Sequence, residues 1–100
     1  MAALTNEETL QKIKTALCVT GNYLDNTLQI FIDDVKGFML NAGVKQRVID
    51  DSVAVGAICR GVSDLWNNGS GNTDFSQYFK QRVIQLTLID EQEVEENGNN

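Results

Sequence analysis

The chain has 100 residues, of which 42% are hydrophobic and 22% charged, a composition typical of one small globular domain rather than of a disordered chain. No apolar run approaches the roughly 20 residues that a transmembrane helix requires, and residues 1–8 lack the basic start and apolar centre of a secretory signal. The sequence therefore predicts a soluble protein that is not exported, and the lack of histidine argues against an active site.

The net charge of −6 is concentrated at the C-terminus. Residues 1–89 contain eight basic and nine acidic side chains, whereas residues 90–100 contain five carboxylates and no basic residue. Because that acidic segment has too few apolar side chains to offset the entropy of ordering, we expect a folded domain over residues 1–89 and a disordered tail over residues 90–100. The eight basic side chains are dispersed along the chain, which argues against tight binding to nucleic acid.

The two cysteines, Cys18 and Cys59, lie within apolar stretches and lack the CxxC spacing of metal or redox motifs. Free cysteine is among the most frequently buried residue types. The sequence therefore predicts two buried, reduced thiols rather than a disulfide.

The absence of proline and the position of glycines at apparent segment ends predict an all-α fold, a small bundle of about four helices. The first helix is predicted to begin near Asn6, because Thr5 and Glu8 have the spacing of a capping box. It is predicted to end near Cys18, before the helix breakers that follow. Its narrow apolar stripe consists of Leu10, Ile13 and Leu17.

The second helix is predicted over about residues 23–42, with Gly43 placed for a C-terminal cap. Its apolar positions are Leu24, Leu28, Phe31, Ile32, Val35, Phe38 and Met39. On the polar side, Asp33 and Asp34 are interpreted as a solvated pair rather than as an acid–base or metal site, since carboxylates on helices are mostly exposed. Gly37 indicates either a close approach by another backbone or simple tolerance of glycine.

The third helix is predicted from Asp50 or Asp51 to Trp66, with the two aspartates as N-terminal caps. It is apolar on more than one side. One stripe consists of Val48, Val55, Cys59, Val62 and Trp66, and the other of Ala54, Ile58, Gly61 and Leu65. Such a helix must be enclosed by other helices of its own domain or covered by a neighbouring subunit. The small residues that would permit close helix packing are Ala54, Gly56, Ala57 and Gly61.

A glycine loop is predicted over residues 67–74, interpreted as a flexible connector because it lacks the strand and the lysine of a phosphate-binding loop. Ser76 is predicted to cap a fourth helix that runs to about Leu86. The inward positions of this helix are Phe75, Phe79, Val83 and Leu86. We expect Trp66 and Phe79 to meet in the core.

Residues 87–89, Thr-Leu-Ile, either add a short strand to a partner sheet or form a frayed helix end. The middle helix has more apolar surface than one copy of so short a chain is expected to hide. The candidate interface residues are therefore Val55, Cys59, Val62, Trp66, Leu88 and Ile89.

Residues 7–86 resemble the head-tail connector, or adaptor, family of tailed phages. The shared pattern is a first amphipathic helix, the break Val19-Thr20-Gly21, a long apolar helix, and then Ala42-Gly43-Val44. The most similar part follows, from Val53 through Trp66, a glycine loop, and Phe75-Ser-Gln-Tyr-Phe-Lys-Gln-Arg-Val-Ile-Gln-Leu86. These motifs are patterns of packing and contain no catalytic signature.

The resemblance implies a structural virion protein at the head-tail junction, present in the host cytoplasm during assembly and encoded by a phage or prophage. Identical subunits would form a ring, dodecameric when docked, beneath the portal protein after DNA packaging. The ring would extend the DNA channel and present a platform to the next connector, stopper or tail protein, with no membrane contact. DNA would only pass through. The family has no enzymatic activity and no cofactor, and the candidate interface residues would meet a neighbouring subunit or the portal.

Two other classes of function stay open. A small helical regulator or adaptor would bind a single protein partner and form a discrete one-to-one complex without a ring. An enzyme is disfavoured because neither cysteine has a general base spaced nearby and the carboxylates lie at caps, on polar faces or in the tail.

Overall fold

The computed structural model describes residues 3–68 and 75–89, and within these ranges the chain is all-α, as predicted. The helices are α1 (Asn6–Leu17), α2 (Asp25–Asn41), α3 (Gln46–Ile49), α4 (Val55–Asn68) and α5 (Gln77–Thr87), with a 3-10 turn at Ser52–Ala54. None of these helices is long and apolar enough to cross a membrane. The predicted acidic tail and most of the predicted glycine loop, residues 69–74, lie outside the described ranges.

The capping box at the start of α1 is confirmed. Thr5 Oγ1 accepts a hydrogen bond from Glu8 N at 3.1 Å, and Glu8 Oε1 accepts one from Thr5 N at 2.9 Å. The helix ends at Leu17, and Cys18 follows in the left-handed region with φ of 59°. Cys18 is consequently exposed, so its predicted burial is wrong, while Cys59 is half-buried; both thiols are free.

Helix α2 has the predicted apolar face, and its fully buried members are Leu28, Ile32, Val35 and Met39. Gly43 ends this segment with φ of 107°, a conformation that glycine adopts without strain. A Cβ atom at Gly37 would meet no other atom within 4 Å. Of the two interpretations of Gly37, simple tolerance of glycine is therefore the one that holds.

The third predicted helix is wrong at its start. Asp51 is extended, with φ of −94° and ψ of 155°, so α3 stops before it and α4 begins only at Val55. The cause is tertiary: Asp51 forms an antiparallel bridge with Ala3, and Leu4 N donates to Asp50 O at 2.8 Å. The Asp51 carboxylate still caps, but it accepts from Val53 N in the 3-10 turn rather than at the helix itself.

Asp50 does not cap α4, which corrects the second part of that prediction. It follows α3, where its carboxylate accepts a hydrogen bond from Gln46 Nε2 at 3.1 Å. Its other oxygen lies 3.9 Å from Lys36 Nζ on α2. Asp50 therefore ties the short helix to the long one.

Helix α4 occupies the centre of the domain, and its own chain encloses most of its apolar surface. Its buried members, with the residue before it, are Ala54, Ala57, Ile58, Gly61, Val62 and Leu65. Val48 is also buried, but on α3. We expected one copy to leave much of this helix uncovered. In the structure only Val55, Cys59 and Trp66 of the predicted apolar stripes on this helix stay half-buried.

Close packing of α4 depends on Gly61. A Cβ atom there would lie 2.7 Å from Phe79 Cε1 and 2.9 Å from both γ-carbons of Val35. Gly56 is different, because a Cβ atom at that position would meet nothing within 4 Å. The prediction of close approach therefore holds at Gly61 and is wrong at Gly56.

The aromatic side chains form two groups. Trp66 packs edge-on against Phe31, with ring centroids 6.4 Å apart and planes at 84°, rather than pairing with Phe79 as expected. Phe79 instead stacks with Phe38 and Phe75, at centroid distances of 5.6 and 4.6 Å. The two groups fix α2 against α4 and α5.

Helix α5 begins as predicted, with Ser76 Oγ accepting from Phe79 N at 3.2 Å. The Ser76 hydroxyl and backbone N–H both donate to Asp64 Oδ2 of α4, which fixes where α5 starts. At the other end, Leu88 N and Ile89 N still donate to carbonyls of the last turn. Residues 87–89 are therefore a frayed helix end, in which Ile89 touches the core and Leu88 is 80% exposed.

Candidate docking surface

The outer side of α4 forms the floor of a groove between α1 and α5. Three adjoining hollows make up this groove. The middle hollow shares Gly56 and Tyr78 with the hollow on one side and Cys59 with the hollow on the other. We call it the α4 groove, and its main residues are Lys12, Gly56, Arg60, Tyr78, Gln81 and Arg82. The hollow above Gly56 has a volume of about 320 Å³, large enough for a protruding side chain.

The α4 groove is lined by basic side chains. Lys12 lies at one end and Arg82 at the other, and the residues that line the three hollows include no carboxylate. The hollow beside Lys12 adjoins another that is lined by Glu8.

Arg60 stands between Lys12 and Arg82, with Cζ 5.4 Å from the ring centroid of Tyr78. Its Nε is 3.8 Å from Asp64 Oδ1, and because this carboxylate is only 12% exposed it is weakly screened and offsets part of the Arg60 charge, which leaves Lys12 and Arg82 as the main source of positive potential.

Tyr78 provides the largest apolar surface in the groove, because the residue is 65% exposed. The ring is held by Arg60 on one side, and Arg82 is fixed by a hydrogen bond from Nη1 to Gln85 Oε1 at 2.8 Å. An aromatic ring flanked by ordered arginines is a composition enriched where proteins bind one another.

A second surface is the outward side of α2, which we call the α2 face. Its exposed residues are Asn26, Thr27, Ile30, Asp33, Asp34, Gly37, Leu40 and Asn41. Ile30 is 65% exposed and lies one turn before the two carboxylates, and Leu40 is 50% exposed. Asp33 Oδ1 accepts a hydrogen bond from Gln29 Nε2 at 2.9 Å, so the acidic pair is solvated, as predicted.

The two surfaces lie on opposite sides of the domain. Gly61 packs against Val35 of α2, whereas Gly56, five positions earlier and so about 140° away around the helix, faces solvent in the groove. Helix α2 therefore lies beneath α4, with its own outer face directed away from the groove. The shortest extent of the domain is 17 Å, which corresponds to two layers of helices.

The predicted interface residues do not form one surface. Val55 and Cys59 line the same hollow beside Lys12, at the edge of the α4 groove. Trp66 is half-buried against Phe31, and Leu88 and Ile89 lie at the end of α5. Val62 is wrong as an interface residue because it is 0% exposed and belongs to the core.

Sequence reasoning missed two of the most exposed apolar side chains. Ile30 and Tyr78 lie outside the inward apolar stripes of α2 and α5. An apolar residue outside such a stripe is the sequence signal that could have identified them. Ile84, 61% exposed, and Leu88 form a further apolar pair one turn apart at the end of α5.

Metal-ligating and nucleophilic side chains bear on what these surfaces can do chemically. Over the described ranges no three His, Cys, Asp or Glu side chains are grouped so that they could hold a metal ion. Burial raises the pKa of the Cys59 thiol, and the nearby Lys12 only partly opposes this effect, so the thiol beside the groove is not an activated nucleophile. Comparison of the chain with protein-family models, with curated proteins and with solved structures found no match.

Proposed function

We propose that this chain is a structural subunit of the head-tail junction of a tailed phage or prophage. Several copies would form a ring beneath the portal, extend the DNA channel and carry the stopper or tail protein. The observation that carries the proposal is the order of elements shared with connectors: an amphipathic helix, a long helix, a central helix with Trp66 in its last turn, a glycine-rich segment and an aromatic final helix.

The packing of the helices supports this assignment. The residues that carry the resemblance also make the central packing contacts. They include Gly61, where α4 closely approaches its neighbours, and Phe79, which makes aromatic contacts. Those residues build a rigid scaffold, and the surfaces left over are docking surfaces rather than a catalytic cleft.

The charge of the domain suits a DNA channel. Residues 1–89 have a net charge of −1, so the domain offers little electrostatic attraction to phosphate. A subunit of this kind makes weak contacts with the duplex, so DNA can move past it without being held.

The end of α5 is the surface that we assign to the portal. Leu88 is 80% exposed and Ile84 is 61% exposed, and together they offer an apolar contact that a single copy leaves open. In the sequence Leu88 lies just before the acidic segment of residues 90–100, and we propose that this segment contacts the same partner.

Co-sedimentation with the purified portal protein of the same phage or prophage tests the proposal. We expect the chain to sediment with the portal and electron microscopy to show a ring added at one end. Leu88→Glu should weaken binding at least about tenfold by placing a charge in an apolar contact, while Thr20→Glu, an equal change at an exposed site between α1 and α2, should not. Absence of binding, or a one-to-one complex with a different cellular protein, would favour the helical regulator instead.

A further inference from the structure

We infer that the α4 groove of one copy receives the α2 face of the next copy, so that the subunits associate head-to-tail. The inference rests on the proposed function for the identity of the partner, a second copy of this chain. It adds to that function the two surfaces that meet.

Charge complementarity is the first argument. The α4 groove presents Lys12 and Arg82, together with Arg60, which is paired with Asp64, and no carboxylate lines its three hollows. The α2 face presents Asp33 and Asp34. Opposite potentials on two surfaces favour their encounter and set the register in which they dock. Like surfaces repel, so groove-to-groove and face-to-face pairing are both disfavoured.

Shape is the second argument. The hollow above Gly56 is open because this residue has no side chain and a Cβ atom there would touch nothing. Ile30 is the most exposed apolar side chain of the α2 face and is available to fill it. In return, the exposed ring of Tyr78 can approach the α2 backbone at Gly37, where space is also open.

The opposed positions of the two surfaces determine the kind of assembly. When one groove is filled by a neighbour, the same copy still has a free α2 face on its other side. Such an unlike-to-unlike contact does not end at a dimer; it continues until a ring closes or a filament grows. The contact thereby supplies the lateral interface that a ring of identical subunits requires.

The acidic segment of residues 90–100 is the competing occupant of a basic groove, because it contains five carboxylates. The described surfaces favour the α2 face, since that face offers both the acidic pair and an exposed apolar side chain one turn away on the same helix. The two occupants predict different effects of the same substitutions, and the experiment separates them.

The experiment uses full-length chains in sedimentation velocity at low salt and up to millimolar concentration. One variant carries Lys12→Glu and Arg82→Glu, which reverses the groove. The other carries Asp33→Lys and Asp34→Lys, which reverses the α2 face. We expect the wild type to associate beyond a dimer and each variant alone to associate at least about tenfold more weakly.

Mixing the two variants provides the decisive comparison. In the mixture, the acidic groove of one variant meets the basic α2 face of the other, and the unchanged groove meets the unchanged face. Association beyond a dimer should therefore return in the equimolar mixture and in a chain that carries all four substitutions. Circular dichroism should be unchanged, because Lys12, Asp33 and Asp34 are exposed and Arg82 lies at the rim of the groove.

Three results would overturn the inference. One is a wild type that stays monomeric at every concentration. A second is that the groove variant loses association while the α2 variant keeps it, and that changing the five carboxylates of residues 90–100 to amides also abolishes association. This combination would assign the groove to the tail. The third is a mixture that fails to recover. Because no portal is present, these results are independent of portal co-sedimentation, which alone decides the proposed function.

Discussion

Lys14 Nζ of α1 lies 2.8 Å from Asp25 Oδ1 at the start of α2, and the pair joins the two helices across their connection. The same ammonium donates a hydrogen bond to Gly21 O at 2.6 Å. The Lys14 side chain is only 7% exposed and that of Asp25 is 29% exposed. A buried ammonium requires such partners, because an unpaired charge in the interior is strongly destabilising.

Asp25→Ala should therefore destabilise the domain by about 2 kcal/mol, less than the loss of a fully buried pair because Asp25 is partly solvated. Lys14→Met should cost less than Asp25→Ala, since it removes the buried charge along with its partner's contact. Urea unfolding followed by circular dichroism measures both values. Asp33→Ala is the matched control on the exposed side of α2 and should change the free energy of unfolding by less than about 0.5 kcal/mol.

Two glycines of α4 should respond in opposite ways to the same substitution. Gly61→Ala places a Cβ atom 2.7 Å from Phe79 Cε1, and we expect a loss of about 1 to 3 kcal/mol as the core shifts. Gly56→Ala meets no atom and should stabilise the domain by roughly 0.5 to 1 kcal/mol through helix propensity. Thermal unfolding of both variants tests this, and equal shifts of the two midpoints would contradict the assigned packing.

Local signals made much of the fold predictable from the sequence. The capping box of Thr5 and Glu8 and the serine cap of α5 depend on residues three apart, so spacing alone locates them. The extended Asp51 was not predictable, because it results from pairing with Ala3, far away in sequence. The burial of Lys14 was likewise not predictable, since its counter-charge comes from another helix.

The candidate surfaces were harder to predict than the helices. Periodicity identifies which side chains are apolar on one side of a helix, but it gave no sign that the same chain covers Val62 completely and leaves Val55 and Cys59 half-buried. The α4 groove depends on how α1 and α5 flank α4. Lys12 and Arg82, 70 positions apart, contribute to one basic surface only after the domain has folded.

The two thiols should differ in their reaction with iodoacetamide. Cys18 is exposed, whereas Cys59 is half-buried and burial raises its pKa, so less of it is thiolate at neutral pH. We expect Cys18 to be alkylated first and Cys59 to need a higher pH. Mass spectrometry of the Cys18→Ser and Cys59→Ser variants over a pH series assigns each rate, and faster labelling of Cys59 would contradict its position beneath the groove wall.

The capping box should make stability depend on pH through Glu8. Its pKa is lowered chiefly by the hydrogen bond from the Thr5 backbone N–H to the carboxylate. A folded pKa below the unfolded value means that the stabilisation is fully present above the unfolded pKa and is lost as the pH falls through the folded one. The urea midpoint of the wild type should therefore exceed that of Glu8→Gln at pH 7, and the difference should shrink on acidification. Glu7→Gln removes a carboxylate from the same turn outside the capping box. Equal pH dependence in these two variants would show that helix-dipole charge, rather than the hydrogen bond to Thr5, accounts for the effect.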